Sequence, residues 1–140
     1  MHPTPELVLP HQGPMRMISQ VLTHNSEHIH CNACIRADNP LLVGACLPAY
    51  VGIELLAQAS GLLLGARRQD TDTPGPGAIV QIKSFRLQEA DIPVGTTLHV
   101  RAYFEAGNTE AALFTGEVLL NDQQILEGSL MIALLEENGA

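Results

Sequence analysis

Basic residues are scarce in this sequence. Seven lysines and arginines face 15 aspartates and glutamates, and the formal net charge of -8 gives a field that repels phosphate backbones and anionic lipid. Nucleic-acid binding is disfavoured on that ground. Long hydrophobic runs are missing as well. No window reaches the roughly 18 apolar residues of a membrane span, and Met1-His2-Pro3-Thr4-Pro5 lacks the cationic start and apolar stretch of a secretory signal. A cytoplasmic protein is expected. Cysteine is sparse and odd in number, with Cys31, Cys34 and Cys46 reading as reduced thiols, not as a disulfide framework. Repeats, low-complexity tracts, a phosphate loop, a dinucleotide glycine fingerprint and a Gly-x-Ser-x-Gly nucleophile motif are all lacking, so nucleotide chemistry is not indicated and no cofactor is expected.

What is present is a chain of 140 residues, 46% hydrophobic and 16% charged, which fits one domain over residues 1–140 with a single core. One breaker segment, Asp70 to Gly77, separates two unlike halves. After it, Ala78 to Arg86, Thr97 to Phe104, Ala111 to Leu120 and Gln124 to Leu135 read as strands. Leu98, Val100, Ala102 and Phe104 alternate with polar residues in the second of these, the mark of one buried face. Gly107-Asn108 and Asn121-Asp122 are turn residues, so this half is expected to be an antiparallel meander. Before the breaker, Met15 to Thr23 and His28 to Arg36 read as two more strands.

Between them lies a stretch from Pro48 to Gln69, about 30 Å of helix at 1.5 Å per residue. Pro48 suits its first turn, and Arg67 and Arg68 suit its negative end. From Val51 to Ala66 only Glu54, Gln58 and Ser60 are polar, and a helix apolar nearly all round must be buried. One central helix with about six antiparallel strands is expected to give an α+β architecture with the sheet wrapped around the helix, the hotdog fold; a helix on one side of an open sheet is the alternative. Gly61-x-x-x-Gly65 would let a backbone approach closely.

Glu54 carries the most chemical information. It is the sole ionisable group in that apolar run, so desolvation disfavours its carboxylate form and it is expected to hold a proton near neutral pH. Gln58 shares its helical face, where it can orient the carboxyl or a substrate carbonyl, or satisfy a buried backbone group. His11, held between Pro10 and Pro14, is either a general base or a hydrogen-bonder pinning the N-terminal segment. His28, His30 and His99 fall on polar strand phases and are expected to be solvated. His28-x-His30-Cys31-x-x-Cys34 has metal-ligand residue types, but Cys31 and Cys34 would point to opposite faces and no second pair follows, so no metal is expected.

These residues resemble the hotdog 3-hydroxyacyl-acyl-carrier-protein dehydratases of fatty-acid synthesis. Leu9-Pro10-His11-Gln12-x-Pro14-Met15 is similar to their L-P-H-R-x-P-F motif. Pro48-A-Y-V-G-I-Glu54-L-L-A-Gln58-A is similar to P-G-V-L-I-I-E-A-M-A-Q-A, and Phe85 to Gly95 to their F-x-x-P-V-x-P-G-D strand and turn. The resemblance implies that Glu54 is the acid that helps the 3-hydroxyl leave, and that substrate binds at Gln58 and at Ala49 and Tyr50, where backbone amides open the helix. It also implies a His just upstream, removing the C2 proton across a dimer interface. Here the upstream segment Asn39 to Pro48 is short and has no His.

That shortened segment resembles, more closely, the dehydratase-like partner subunits of aryl polyene and related polyketide pathways. The resemblance implies a heterodimer with a second hotdog dehydratase that supplies the base or uses this chain as a supporting half; a homodimer is the other dimer open to the chain. Rival readings are a self-sufficient dehydratase using His11, an acyl thioester hydrolase, and a non-catalytic acyl-binding or scaffold subunit. The substrate is expected on an acyl carrier protein, docked through a local cationic patch of Arg67, Arg68, Lys83 and Arg86.

Overall fold

The computed structural model describes residues 17–67, 77–88, 90–108 and 110–134. In chain order its elements are β1 (Gln20–His24), β2 (His28–Cys34), β3 (Cys46–Pro48), a 3-10 turn (Ala49–Val51), α1 (Gly52–Arg67), β4 (Gly77–Leu87), β5 (Asp91–Pro93), β6 (Thr97–Gly107), β7 (Ala111–Leu120) and β8 (Gln123–Leu134). Side chains alternate across a strand. Accordingly Ile29, Cys31 and Ala33 in β2, and Leu98, Val100 and Ala102 in β6, are fully buried on one face. Asn121 and Asp122 both have positive φ, 50° and 66°, the left-handed pair that matches a two-residue turn to the twist of β7 and β8. Between β6 and β7 the Asn108 side chain accepts hydrogen bonds from the N–H groups of Glu110 and Ala111.

Six strands form one antiparallel sheet in the order β1-β2-β6-β7-β8-β4, and β3 pairs with β5 in a small second sheet. The large sheet wraps α1, which buries Leu55, Leu56, Ala59, Leu62, Leu63 and Leu64 against residues such as Phe114, Val118 and Leu126. This is the hotdog architecture expected from the sequence. Gly116 brings β7 close under the helix: a Cβ there would overlap the Arg101 carbonyl oxygen and a Leu56 methyl. By contrast, a Cβ on Gly61 meets nothing within 4 Å in this chain, so the sheet makes its close approach at Gly116 and not at Gly61. Ala49–Arg67 is long and apolar enough to cross a membrane by composition alone, but 72% of it is buried inside the fold as the core helix.

Several boundaries differ from expectation. β1 begins at Gln20, β2 stops at Cys34, and the first turn of the expected helix is 3-10 rather than α. The short pair β3 and β5 was not foreseen, because three-residue strands that end in Pro48 and Pro93 carry no alternation to read.

Candidate active site

Glu54 stands in the first turn of α1. It is half-buried, not sealed in the core as a wholly apolar helix implied, because one stripe of the helix is left uncovered by the sheet. Tyr50 is 59% exposed on this stripe, Ile53, Glu54 and Ala57 are partly exposed, and open space lies beside Gly61. Its neighbour at i+4, Gln58, is only 2% exposed. The Gln58 amide Nε2 donates to Glu54 Oε2 at 3.0 Å, while its Oε1 accepts from the N–H of Met17 at 3.0 Å and of Ile18 at 3.4 Å.

Beside the start of the helix, Pro48, Ala49, Tyr50, Leu87, Ala90 and Asp91 line a groove of about 430 Å³. The opening N–H groups of a helix have no acceptor within it, so the main chain at Ala49 and Tyr50 is placed to meet an oxygen there. A larger groove, about 600 Å³, lies between Tyr103, Thr115, Ser129, Ser84 and Arg86; Glu54 lines neither groove, and only the smaller one adjoins the helix start. The smaller groove is the one beside the expected chemistry.

Strand β4 borders the site with an apolar strip the sequence reading missed. Ile79, Ile82 and Phe85 are 37%, 43% and 44% exposed, yet they pair with Ile132, Leu130 and Gly128 and so share the inner face of the sheet. A spacing of three would normally scatter residues over both faces of a strand. Register shifts between Ile79 and Gln81 and between Ile82 and Ser84 leave position 80 and Lys83 without cross-strand partners, and each extra residue resets the phase.

The segment upstream of the helix, Asn39 to Pro48, holds no histidine where the resemblance implies a base. Asn39 is buried and its Oδ1 accepts from the N–H of Leu41 at 2.8 Å, and Val43 pairs with Cys46 across Gly44, whose φ is 65°. His28, His30 and His99 alternate with the buried residues of β2 and β6, which puts them on the outer face. They are half-buried and not freely solvated as expected. His30 Nε2 lies 3.0 Å from His99 Nδ1, and the ring centroids of His28 and Tyr103 are 5.2 Å apart. Burial, then the nearby Arg101, His99 and His28, hold the His30 pKa below its ordinary value. His11 and Arg68 lie outside the described residues.

The remaining candidates divide by what they touch. Arg67 stacks on Phe104, its guanidinium carbon 3.6 Å from the ring centroid, and donates to the Ser26 carbonyl oxygen, so it ties the helix end to the β1–β2 turn. Arg86 forms an ion pair with Glu127. Lys83 is exposed and makes no ion pair among the described residues. Cys31 is buried, with its thiol pKa pushed up to about 12 by desolvation, whereas Cys34 is exposed. Among the described residues no group of three His, Cys, Asp or Glu side chains converges as a metal site.

Sheet, central helix and a half-buried carboxylate on the open stripe of that helix define a hotdog chain. Residues 3–138 match the ApeP-like family, described as ApeP dehydratase, and the chain belongs to that family. It is 25% identical over 137 residues to the 3-hydroxyacyl-[acyl-carrier-protein] dehydratase FabZ of Chlamydia caviae, covering 93% of this chain and 88% of that one. Its fold is similar to that in the dehydratase heterocomplex ApeI:P from Xenorhabdus doucetiae, with TM-score 0.88, 23% identity, and 99% and 95% of the two chains covered. A hypothetical thioesterase with coenzyme A from Streptococcus pneumoniae shares the fold more loosely, with TM-score 0.63, 9% identity, and 83% and 84% covered.

Proposed function

We propose that this chain is the dehydratase-like subunit of a two-chain hotdog dehydratase that acts on 3-hydroxyacyl thioesters carried by an acyl carrier protein, in fatty-acid or polyketide synthesis of the aryl polyene type. The observation that carries this reading is the Glu54 carboxyl, held by Gln58 at the uncovered stripe of α1 beside the groove at Ala49 and Tyr50. In the reaction a base takes the C2 proton, the C3–O bond breaks, and the Glu54 carboxylic acid gives its proton to the departing hydroxyl, leaving water and a 2-enoyl thioester. Main-chain N–H groups at Ala49 and Tyr50 polarise the thioester carbonyl as charge develops on its oxygen.

The base comes from the partner chain. The upstream segment has none, and His28, His30 and His99 lie on the far side of the sheet from Glu54. A second hotdog chain seated along β4 would cover Ile79, Ile82 and Phe85 and face the open stripe of α1, which supports assembly across that edge. The acidic carrier then docks at a local cationic patch. Lys83 and Arg86 on β4 suit that role, Arg68 remains a candidate outside the described residues, and Arg67 is engaged with Phe104. Such a subunit works in the cytoplasm beside the carrier.

The test is to incubate the purified chain, alone and with a complete hotdog dehydratase subunit, with a 3-hydroxyacyl carrier thioester, following enoyl product and free thiol. Dehydration only in the mixture is the expected result. Dehydration by the chain alone would return the base to His11, thiol release would make the chain a hydrolase, and silence in both would leave a scaffold.

A further inference from the structure

We infer that Gln58 is a positioning residue through which the packed backbone at Met17 and Ile18 sets the direction of the Glu54 carboxyl, an inference that rests on Glu54 being the acid proposed above. The two ends of a carboxamide are not interchangeable: the oxygen only accepts hydrogen bonds and the nitrogen only donates. Two main-chain N–H groups, 3.0 and 3.4 Å away, are met by Gln58 Oε1 and would be opposed by its NH₂. A flipped amide would set donors against donors here and oxygen against oxygen at Glu54. The orientation is therefore dictated from the Met17–Ile18 side, and the NH₂ that remains is the group 3.0 Å from Glu54 Oε2.

The burial pattern makes this direction stiff. Met17, Ile18 and Gln58 are all at most 5% exposed, so the amide is anchored by packing on one side and by main-chain donors on the other. Glu54 is only half-buried and its side chain has three rotatable bonds, so packing alone does not set its rotamer. The bond from Gln58 engages Oε2 as an acceptor and so holds that edge of the carboxyl in place before substrate arrives. Buried to this degree, Gln58 acts on the carboxyl and not on a substrate carbonyl. The contact spans 40 residues of chain, which couples the docking of the N-terminal segment to the acid.

The experiment compares Gln58→Glu, Gln58→Met and Glu54→Gln in the complete two-chain dehydratase, with thermal unfolding as the fold check. Misplacement of a reacting group by about 1 Å costs up to about 100-fold, so kcat is expected to fall about 10- to 100-fold in both Gln58 variants with KM nearly unchanged. Protonated Glu at position 58 regains a donor. The deficit of Gln58→Glu relative to wild type should therefore shrink as pH is lowered, while that of Gln58→Met stays constant. Wild-type kcat in both Gln58 variants beside an inactive Glu54→Gln overturns the inference and leaves the acid in place; an active Glu54→Gln removes the acid and the inference with it. If a Gln58 variant does not fold, the Gln58 side-chain amide resonances decide in the parent protein. They move on Glu54→Gln if the bond positions the carboxyl, and their failure to move overturns the inference.

Discussion

At the scale of single residues, Glu54 and Arg67 show how a sequence pattern does and does not announce a role. Glu54 stands out because a carboxylate is costly in an apolar helix, and Gln58 follows from helical spacing. The bonds from Met17 and Ile18 to Gln58 were not legible, because they join residues about 40 positions apart and use main-chain atoms, which every residue has. Glu54→Gln preserves shape and is expected to lower dehydration by the mixed complex about 100-fold or more, with an unchanged melting temperature measured on the same sample. A fall in melting temperature with full activity per folded molecule would instead make Glu54 structural. Arg67 suits a helix C-terminus, but the sequence does not say that Phe104 lies beneath it. Arg67→Met should lose the ring contact and the bond to Ser26, lowering stability by about 1–2 kcal/mol in chemical denaturation.

At the scale of elements, the four strands after the breaker and the central helix were readable to within a few residues, since alternation and turn chemistry are local signals. Two things escaped. β3 and β5 are too short to show a period, and the apolar strip of β4 recurs every three residues, a rhythm that becomes one face only through two bulges. Removing an extra residue is an incisive test: deletion of Lys83 takes out one bulge and leaves Ile82, Ser84 and Phe85 in plain alternation opposite Leu130, Ser129 and Gly128, so the strip and assembly with the partner are expected to survive in size-exclusion chromatography. Ile82→Glu, by contrast, should abolish assembly while the chain keeps its strand content by circular dichroism. Gly116→Ala drives a methyl into the Arg101 carbonyl and Leu56. It should lower stability by about 1–3 kcal/mol, read from the denaturation midpoint.

At the scale of the whole molecule, His30 on the outer face links stability to pH. The His30 pKa is lowered in the fold, so the unfolded chain takes up the proton first as pH falls. The contribution is therefore fully present above about 6.5 and is lost as pH drops through that value toward the folded pKa. His30→Gln should flatten the dependence of melting temperature on pH below 6.5, and an unchanged slope would assign it to other groups. Charge acts at this scale too. The chain carries -8 overall, so the proposed carrier docking at Lys83 and Arg86 would work against the mean field, and reversing both charges should weaken carrier binding most at low salt.

The uncovered strip on β4 also bears on supply. Ile79, Ile82 and Phe85, exposed beside a long strand edge, are the kind of surface on which unassembled chains are held by chaperones or lost to proteolysis and aggregation. A partner that covers the strip stabilises the folded chain by mass action. With the proposed partner in that place, the lifetime of this subunit is expected to follow the abundance of the partner, and surplus copies made without it should be short-lived. The two chains would thereby be kept at equal stoichiometry without any control of their synthesis.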